Sequence, residues 1–259
     1  MSTIEFEPAA KIADFAPAPD VLAARHPTYQ PIHKALRAFM ARVLVDLGNM
    51  DPQDSEECRA TLGQARNLLD LLDLLASHLS HENEFIHPAL ESLQRGSSAR
   101  VDEDHGSHIT TIEALTTEVQ ALLDTCACSP VPARAEADAL RLYRRFALFV
   151  AENFEHMHHE ETALHALLCA GYSDAELQTI HARLLASVPP AELMGVLRWM
   201  LPAVTPAQRI GMLTELKTQV PPEAMHAVID LAHRVLDARA WVKLASALGL
   251  APVPGPVQE

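Results

Sequence analysis

"HLSHENEFIHPAL" (His78–Leu90) and "HMHHEETALHALL" (His156–Leu168) are two versions of one phrase, each placed at the end of an apolar run. Aligned, His78 falls on His156, His81 on His159, Glu82 on Glu160 and His87 on His165. In an α-helix, residues i and i+4 lie one above the other on the same face. His78 with Glu82, and His156 with Glu160, therefore project together. The first pair continues the stripe Leu68, Leu72 and Leu75 and is followed by Ile86 and Leu90. The second continues Phe146 and Phe149 and is followed by Leu167. Polar groups stand where core residues belong.

An ionised Glu in a bundle core is prohibitively costly unless it is paired, and a metal dication is the commonest partner able to balance two of them. Two further helices offer a His on an equivalent stripe. His33 precedes Leu36, Met40 and Leu47, and His105 precedes Ile109, Ile112, Leu115 and Val119. His33 and His105 stand near the starts of their helices, whereas His78 and His156 stand toward the ends of theirs. Sequence separations of 45 and 51 residues then put all six groups in one layer of an antiparallel bundle. Four imidazoles and two carboxylates suit two irons bridged by the carboxylates, with open positions for a small ligand. Zinc would also fit but is redox-silent. The zincin motif H-E-x-x-H is absent, and the Glu-x-x-His of ferritin-like sites has the opposite order and a shorter spacing.

With "PIHKALR" around His33 and "DHGSHITTI" around His105 added to the doubled phrase, the chain resembles the hemerythrin-like (HHE cation-binding) family over about residues 26–170, of the bacterial type with a C-terminal helical extension. The resemblance implies a four-helix bundle holding two iron ions as an oxo- or hydroxo-bridged di-iron centre. Carried onto this chain, the ligands are His33, His78, Glu82, His105, His156 and Glu160. It further implies binding or sensing of dioxygen, nitric oxide or a related small oxidant such as peroxide. The alternative is a di-iron enzyme (peroxidase, oxidase or nitric oxide-handling catalyst) in oxidative or nitrosative stress defence. The invertebrate oxygen carriers of this family have a His pair at i and i+4 on the third helix and end the fourth-helix motif in Asp one residue later. Here His105 is followed by Ile109, and the motif ends at Glu160. One imidazole fewer favours reactivity over reversible carriage, with solvent, an exogenous ligand, Tyr29, His26 or His108 completing the coordination.

His108 competes with His105 for the inward face. His81, His87, His159 and His165 lie off the inward stripe or a turn beyond it, and read as hydrogen-bonding supports or surface groups. His158, His181, His226 and His233 read as surface residues. Cys58, Cys126, Cys128 and Cys169 read as reduced thiols, since the lone C-x-C lacks the second pair of a zinc site.

The wider chain agrees with an all-α protein. Only nine of its 259 residues are Gly and 5% are aromatic, while Ala and Leu, which cost least in a helix, are plentiful. Turn signals divide residues 26–172 into helices over about 28–48, 55–94, 100–125 and 134–169, the last closed by Gly171 as a C-cap. Short connections between them make an up-and-down four-helix bundle. Residues 1–25 read as an N-terminal arm and residues 251–259 as a disordered tail. Between bundle and tail, residues 173–250 form a smaller helical C-terminal region. There "VPPAELMGVLRWMLPAVTPAQRIGMLTEL" from Val188 and "VPPEAMHAVIDLAHRVLDARAWVKLASAL" from Val220 align with a period of 32 residues, a weak repeat of helical hairpins. The stripe of Met194, Leu197, Trp199, Met200 and Leu201 reads as core or interface. Trp199, Met200, Leu201 and Trp241 are the expected contacts to the bundle, or to a second subunit or protein partner. A net charge of −14 opposes binding to nucleic acid. The absence of any long apolar run or signal-type N-terminus implies no membrane partner and a cytoplasmic location.

Overall fold

The computed structural model describes residues 25–54 and 56–250, which are helices joined by short connections with no strand among them. The arm expected over residues 1–25, apart from Arg25, and the tail over 251–259 lie outside the described residues. Four long helical rods form the bundle. The first is α1 (Gln30–Gly48). The second is α2 (Cys58–His81), which passes through a π turn at Glu82–Ile86 into α3 (His87–Leu93). The third is α4 (Ala99–Cys126). The fourth is α5 (Arg134–His159), which passes through a π turn at Glu160–Leu164 into α6 (His165–Gly171). Rods pack in the order α1, α2, α4, α5 and back to α1, as up-and-down topology requires.

The expected stripes form the core. Leu36, Met40, Leu68, Leu72, Leu75, Leu115, Phe146 and Phe149 are buried in one cluster that ends where the His and Glu layer begins. Beyond that layer, Ile86, Leu90, Leu164 and Leu168 close the bundle end with Tyr29 and Val101. Two stripe residues depart from expectation. Ile109 is exposed and His108 is buried in its place, because the inward face of α4 runs Val101, His105, His108, Ile112. Leu167 is only partly buried, because the π turn shifts the phase of α6 and turns Leu164 and Leu168 inward instead.

Gly171 is not a left-handed C-cap. The described glycines with positive φ are Gly96 and Gly249, and Gly171 is the last residue of α6. What requires glycine here is proximity: a Cβ would lie 2.1 Å from Leu93 Cδ2 and 2.9 Å from Leu93 Cγ. The ends of α3 and α6 meet through that gap.

Five helices follow: α7 (Asp174–Ser187), α8 (Pro190–Ala203), α9 (Pro206–Gln219), α10 (Pro222–Val235) and α11 (Ala238–Ala247). The repeat is plain in their caps. Pro189 and Pro221 precede α8 and α10, while Ser173, Thr205 and Asp237 each accept a backbone N–H in the first turn of α7, α9 and α11. Such caps each contribute about 1 kcal/mol. These helices have a core of their own, in which Leu201, Leu213, Leu231, Leu244 and Trp241 are buried. Trp241 therefore packs within the C-terminal region, its ring 4.6 Å from that of His233, rather than on the bundle. Docking on the bundle falls to α8 against α1. Trp199 stacks on Phe39 with ring centroids 3.9 Å apart and planes 12° from parallel, and Met200 and Val204 cover Ala35. Lys34 donates to Gln208 and Ser77 to Glu192 at the edges. Arg25 ties the start of the described chain to the junction of the bundle and the C-terminal region by donating to Asp174, the Cys169 carbonyl and the Tyr172 carbonyl.

Candidate metal centre

All six residues singled out by spacing converge at one level of the bundle and are buried: His33, His78, Glu82, His105, His156 and Glu160. They fall into two sets that share a carboxylate. Ligating atoms of Glu82, His105, His156 and Glu160 lie within 4.8 Å of one another, and so do those of His33, His78 and Glu82. Glu82 faces both ways: Oε1 is 3.4 Å from His78 Nε2 and 3.6 Å from His33 Nε2, while Oε2 is 3.6 Å from His105 Nε2. Glu160 does the same, with Oε2 3.3 Å from His156 Nε2 and 3.4 Å from His33 Nε2, and Oε1 3.9 Å from His105 Nε2. With metal–nitrogen bonds near 2.1 Å, ligand atoms at right angles sit about 3 Å apart. The observed separations suit one cation between each set.

The hydrogen bonds behind the imidazoles orient them. Nδ1 of His33 is 3.1 Å from Glu161 Oε1, a carboxylate also held by Arg37 at 2.6 Å. Nδ1 of His105 is 2.7 Å from Asn83 Oδ1, and that of His156 is 3.3 Å from Asp104 Oδ2. An acceptor behind Nδ1 keeps the proton there and turns the Nε2 lone pair toward the cluster, the arrangement of metal-binding histidines. Burial and the neighbouring His33 push the His78 pKa well below its usual value. Burial and His156 bring His105 down to about 3. Both are neutral donors at neutral pH. His33 behaves oppositely: burial alone would lower it, but its hydrogen bond to Glu161 and the Glu82 and Glu160 carboxylates hold it up at about 9. Burial and the Glu160 charge raise Glu82 to about 7. Glu160 falls below the usual carboxylate range because the His156 imidazole 3.3 Å away and the His33 charge outweigh its burial.

The fit to cations shows in what lacks a partner. His33 Nε2, His78 Nε2 and both carboxylate oxygens of Glu82 and of Glu160 are buried with no hydrogen bond. A buried polar atom left unpaired costs about 1–3 kcal/mol. Six converging orphans, all of ligand type, are the electrostatic outline of positive charge.

The residues outside this set divide. Tyr29, 2% exposed, stacks on His33 at 5.5 Å, its hydroxyl lacks a partner, and burial with the Glu160 and Glu82 charges raises its pKa. It borders the cluster. His108 is buried one turn from His105 with its ring 5.0 Å from that of His156 and Nδ1 unpartnered, outside both sets. His26 packs edge-on against His181 at 5.5 Å, away from the cluster. His181 and His233 are half-buried rather than on the surface, whereas His158 and His226 are exposed. His81 and His159 are half-buried. Cys169 lies beside His165, with Sγ 3.5 Å from Nε2, and neither it nor exposed Cys128 belongs to the cluster.

His87 and His165 are what sequence spacing missed. Five residues after a Glu on an α-helix lies about 140° around the axis. In each phrase, however, the helix widens: the His87 N–H bonds the Glu82 carbonyl, and the His165 N–H bonds the Glu160 carbonyl. This i→i+5 pattern brings both imidazoles inside, at 5% and 8% exposure. His87 Nδ1 bonds Asp102, its ring stacks on His105 at 4.9 Å, and Nε2 has no partner. The only signal in the sequence was the recurrence of His at that offset in both phrases.

A cavity of about 350 Å³ adjoins the layer, bordered by His78, Glu82 and Tyr29 on the bundle side and by α7, α8 and α9 on the other.

Carboxylates that each face imidazoles of three helices, inside a four-helix bundle, define a carboxylate–histidine metal-binding site. The chain belongs to the family described as Hemerythrin HHE cation binding domain, which it matches over residues 29–174. No curated protein and no solved structure matches it. Among the described residues no helix is long and apolar enough to cross a membrane.

Proposed function

We propose that the chain holds two iron ions, with His33 and His78 on one, His105 and His156 on the other, and Glu82 and Glu160 bridging both. The site binds or senses dioxygen, nitric oxide or a related small oxidant in the cytoplasm. The carrying observation is the set of unpartnered ligand atoms on Glu82, Glu160, His33 and His78. When bound, the irons supply one-electron redox chemistry and open positions for a small ligand. The chain's own residues do the rest. Glu161, Asn83 and Asp104 hold the imidazole tautomers, while Leu75, Ile112 and Phe149 below the layer and Leu90, Leu164 and Leu168 above it keep bulk water out. Tyr29, with a hydroxyl free to donate beside the two carboxylates, is placed to hydrogen-bond a ligand at an open position.

The test is metal analysis with spectroscopy. Protein purified aerobically is expected to carry two irons per chain and to show near-ultraviolet charge-transfer absorption. After reduction it binds nitric oxide with a new visible band. Fewer than two metals after reconstitution, or a reduced protein whose spectrum neither nitric oxide nor dioxygen changes, overturns the reading.

A further inference from the structure

The lining of the cavity beside the cluster passes from exposed residues to buried ones. Pro27, Glu215 and Gln219 border it and are exposed, whereas Tyr29, His78, Glu82 and Ile86 border it and are buried. The space thus joins solvent to the cluster. It comes in from the side, past Ile32 of α1 and Leu74 of α2. His33, His105, His156 and Glu160 do not border it, so the cluster is met at His78 and Glu82. Along the bundle axis the layer is shut by Leu75 and Phe149 on one side and by Leu90 and Leu168 on the other. A sideways approach avoids both seals.

The wall opposite the bundle is Leu184 of α7, Val196 of α8 and Met212 of α9. These helices begin at Asp174, where the family match ends. The wall is therefore particular to this chain. At about 30 Å³ for each water-sized group, the cavity volume of about 350 Å³ holds on the order of a dozen such groups. A diatomic molecule has room to move through it, and the aliphatic walls offer it no polar group to stop at until Tyr29, His78 and Glu82.

We propose that this cavity is the passage by which the small ligand of the cluster arrives, and that the C-terminal helices set its width through Leu184, Val196 and Met212. The proposal rests on the iron reading for what the ligand meets at the inner end, and on the cavity alone for the route.

Two measurements on the full-length protein test it. Crystals of the protein as purified are pressurised with xenon, an apolar probe that lodges in apolar cavities, and its position is read from anomalous scattering. Xenon is expected between Leu74 and the wall of Leu184, Val196 and Met212. Reduced iron-loaded protein is then mixed with nitric oxide in a stopped-flow instrument. Gly211 lines the cavity and a Cβ there meets nothing within 4 Å, while Leu184 is a half-buried wall residue. Gly211→Phe and Leu184→Trp narrow the space from two helices, and each is expected to slow nitric oxide association about tenfold or more. A narrowed passage slows escape as much as entry, so equilibrium affinity and iron content stay the same. Xenon absent from the cavity overturns the proposal, as do unchanged rates in every variant that keeps its helicity and iron, or weaker equilibrium binding at an unchanged association rate. Should neither variant fold, the xenon position alone decides. A protein that retains no iron defeats the iron reading by itself, and the xenon position then decides the route.

Discussion

His105 and His156 face each other through their Nε2 atoms at 3.1 Å, and each has an acceptor behind its Nδ1. Without a cation between them, a proton has to sit on that line. It belongs to His156: burial works against its charge, but the Glu160 carboxylate 3.3 Å away and the Glu82 charge raise its pKa, while that of His105 is low. A metal held by His33, His105 and His156 would displace this proton and the one on His33. Loading is therefore coupled to proton release.

Glu82→Gln keeps the shape of the side chain and removes its charge. In metal-loaded protein the loss of a bridging ligand is expected to empty at least one position. Binding to the native state alone supplies about 3 kcal/mol at a hundredfold excess over Kd, so the melting temperature falls by roughly 5–10 °C. In metal-free protein the sign reverses, because a buried carboxylate that burial and Glu160 already disfavour has gone. Thermal melts with and without chelator check both signs. Two metals retained in Glu82→Gln and in Glu160→Gln would rule out bridging.

The metal-free protein should lose stability as pH rises from about 7 to 9. His33 has a folded pKa of about 9 against an ordinary value of 6.5. Its contribution is therefore complete below the unfolded value and lost as pH passes the folded one. The lowered values of His78, His105 and His108 act in the opposite direction, but only below about 6.5. Above neutrality the raised His156 acts in the same direction as His33, and the His33 effect itself is on the order of 2 kcal/mol. Urea unfolding at pH 7 and pH 9 measures it. A metal-free protein equally stable at both would show that His33 does not hold its proton.

Glu161 touches no ligand atom of the cluster, yet it fixes His33 from behind. Glu161→Gln should weaken metal binding about 10- to 100-fold, with Arg37 left without its carboxylate partner. Competition with a chromophoric chelator gives the affinity. An unchanged value would mean that packing against Tyr29 alone orients the ring.

Gly171→Ala should cost about 1–3 kcal/mol by overpacking, because the new methyl group meets Leu93 at 2.1 Å. The double variant with Leu93→Ala should recover much of that loss. Additive losses in thermal melts would dismiss the close approach as the reason for glycine.

The cluster was legible because two periodicities agreed. His and Glu in positions of core phase are costly unless something pairs them, and four such stripes led to one level of the bundle. The burial of His87 and His165 was not legible, since counting at 100° per residue assumes an unbroken α-helix. Ile109 and Leu167 failed for related reasons: a stripe two or three residues wide leaves its edge undecided, and a π turn moves it. The docking of Trp199 on Phe39, and the cavity between the C-terminal helices and the His and Glu layer, depend on how two separately amphipathic units meet, which neither unit encodes locally. Trp241 shows the same limit, because a large apolar side chain on a hairpin serves an inner core and an outer contact equally well.

Each π turn works like an extra thread cut into a screw. Upstream of it, α2 and α5 are set in phase with the long apolar core; downstream, α3 and α6 are set in phase with each other, through Leu90 and Leu168. Straightening either turn into regular α-helix without removing a residue would carry the far helix round by about 100°. His87 or His165 would then swing outward and an apolar seam would open at the bundle end. The spacing from Glu to His in the two phrases is thus a gear setting, and the chain has cut it twice with the same number of teeth.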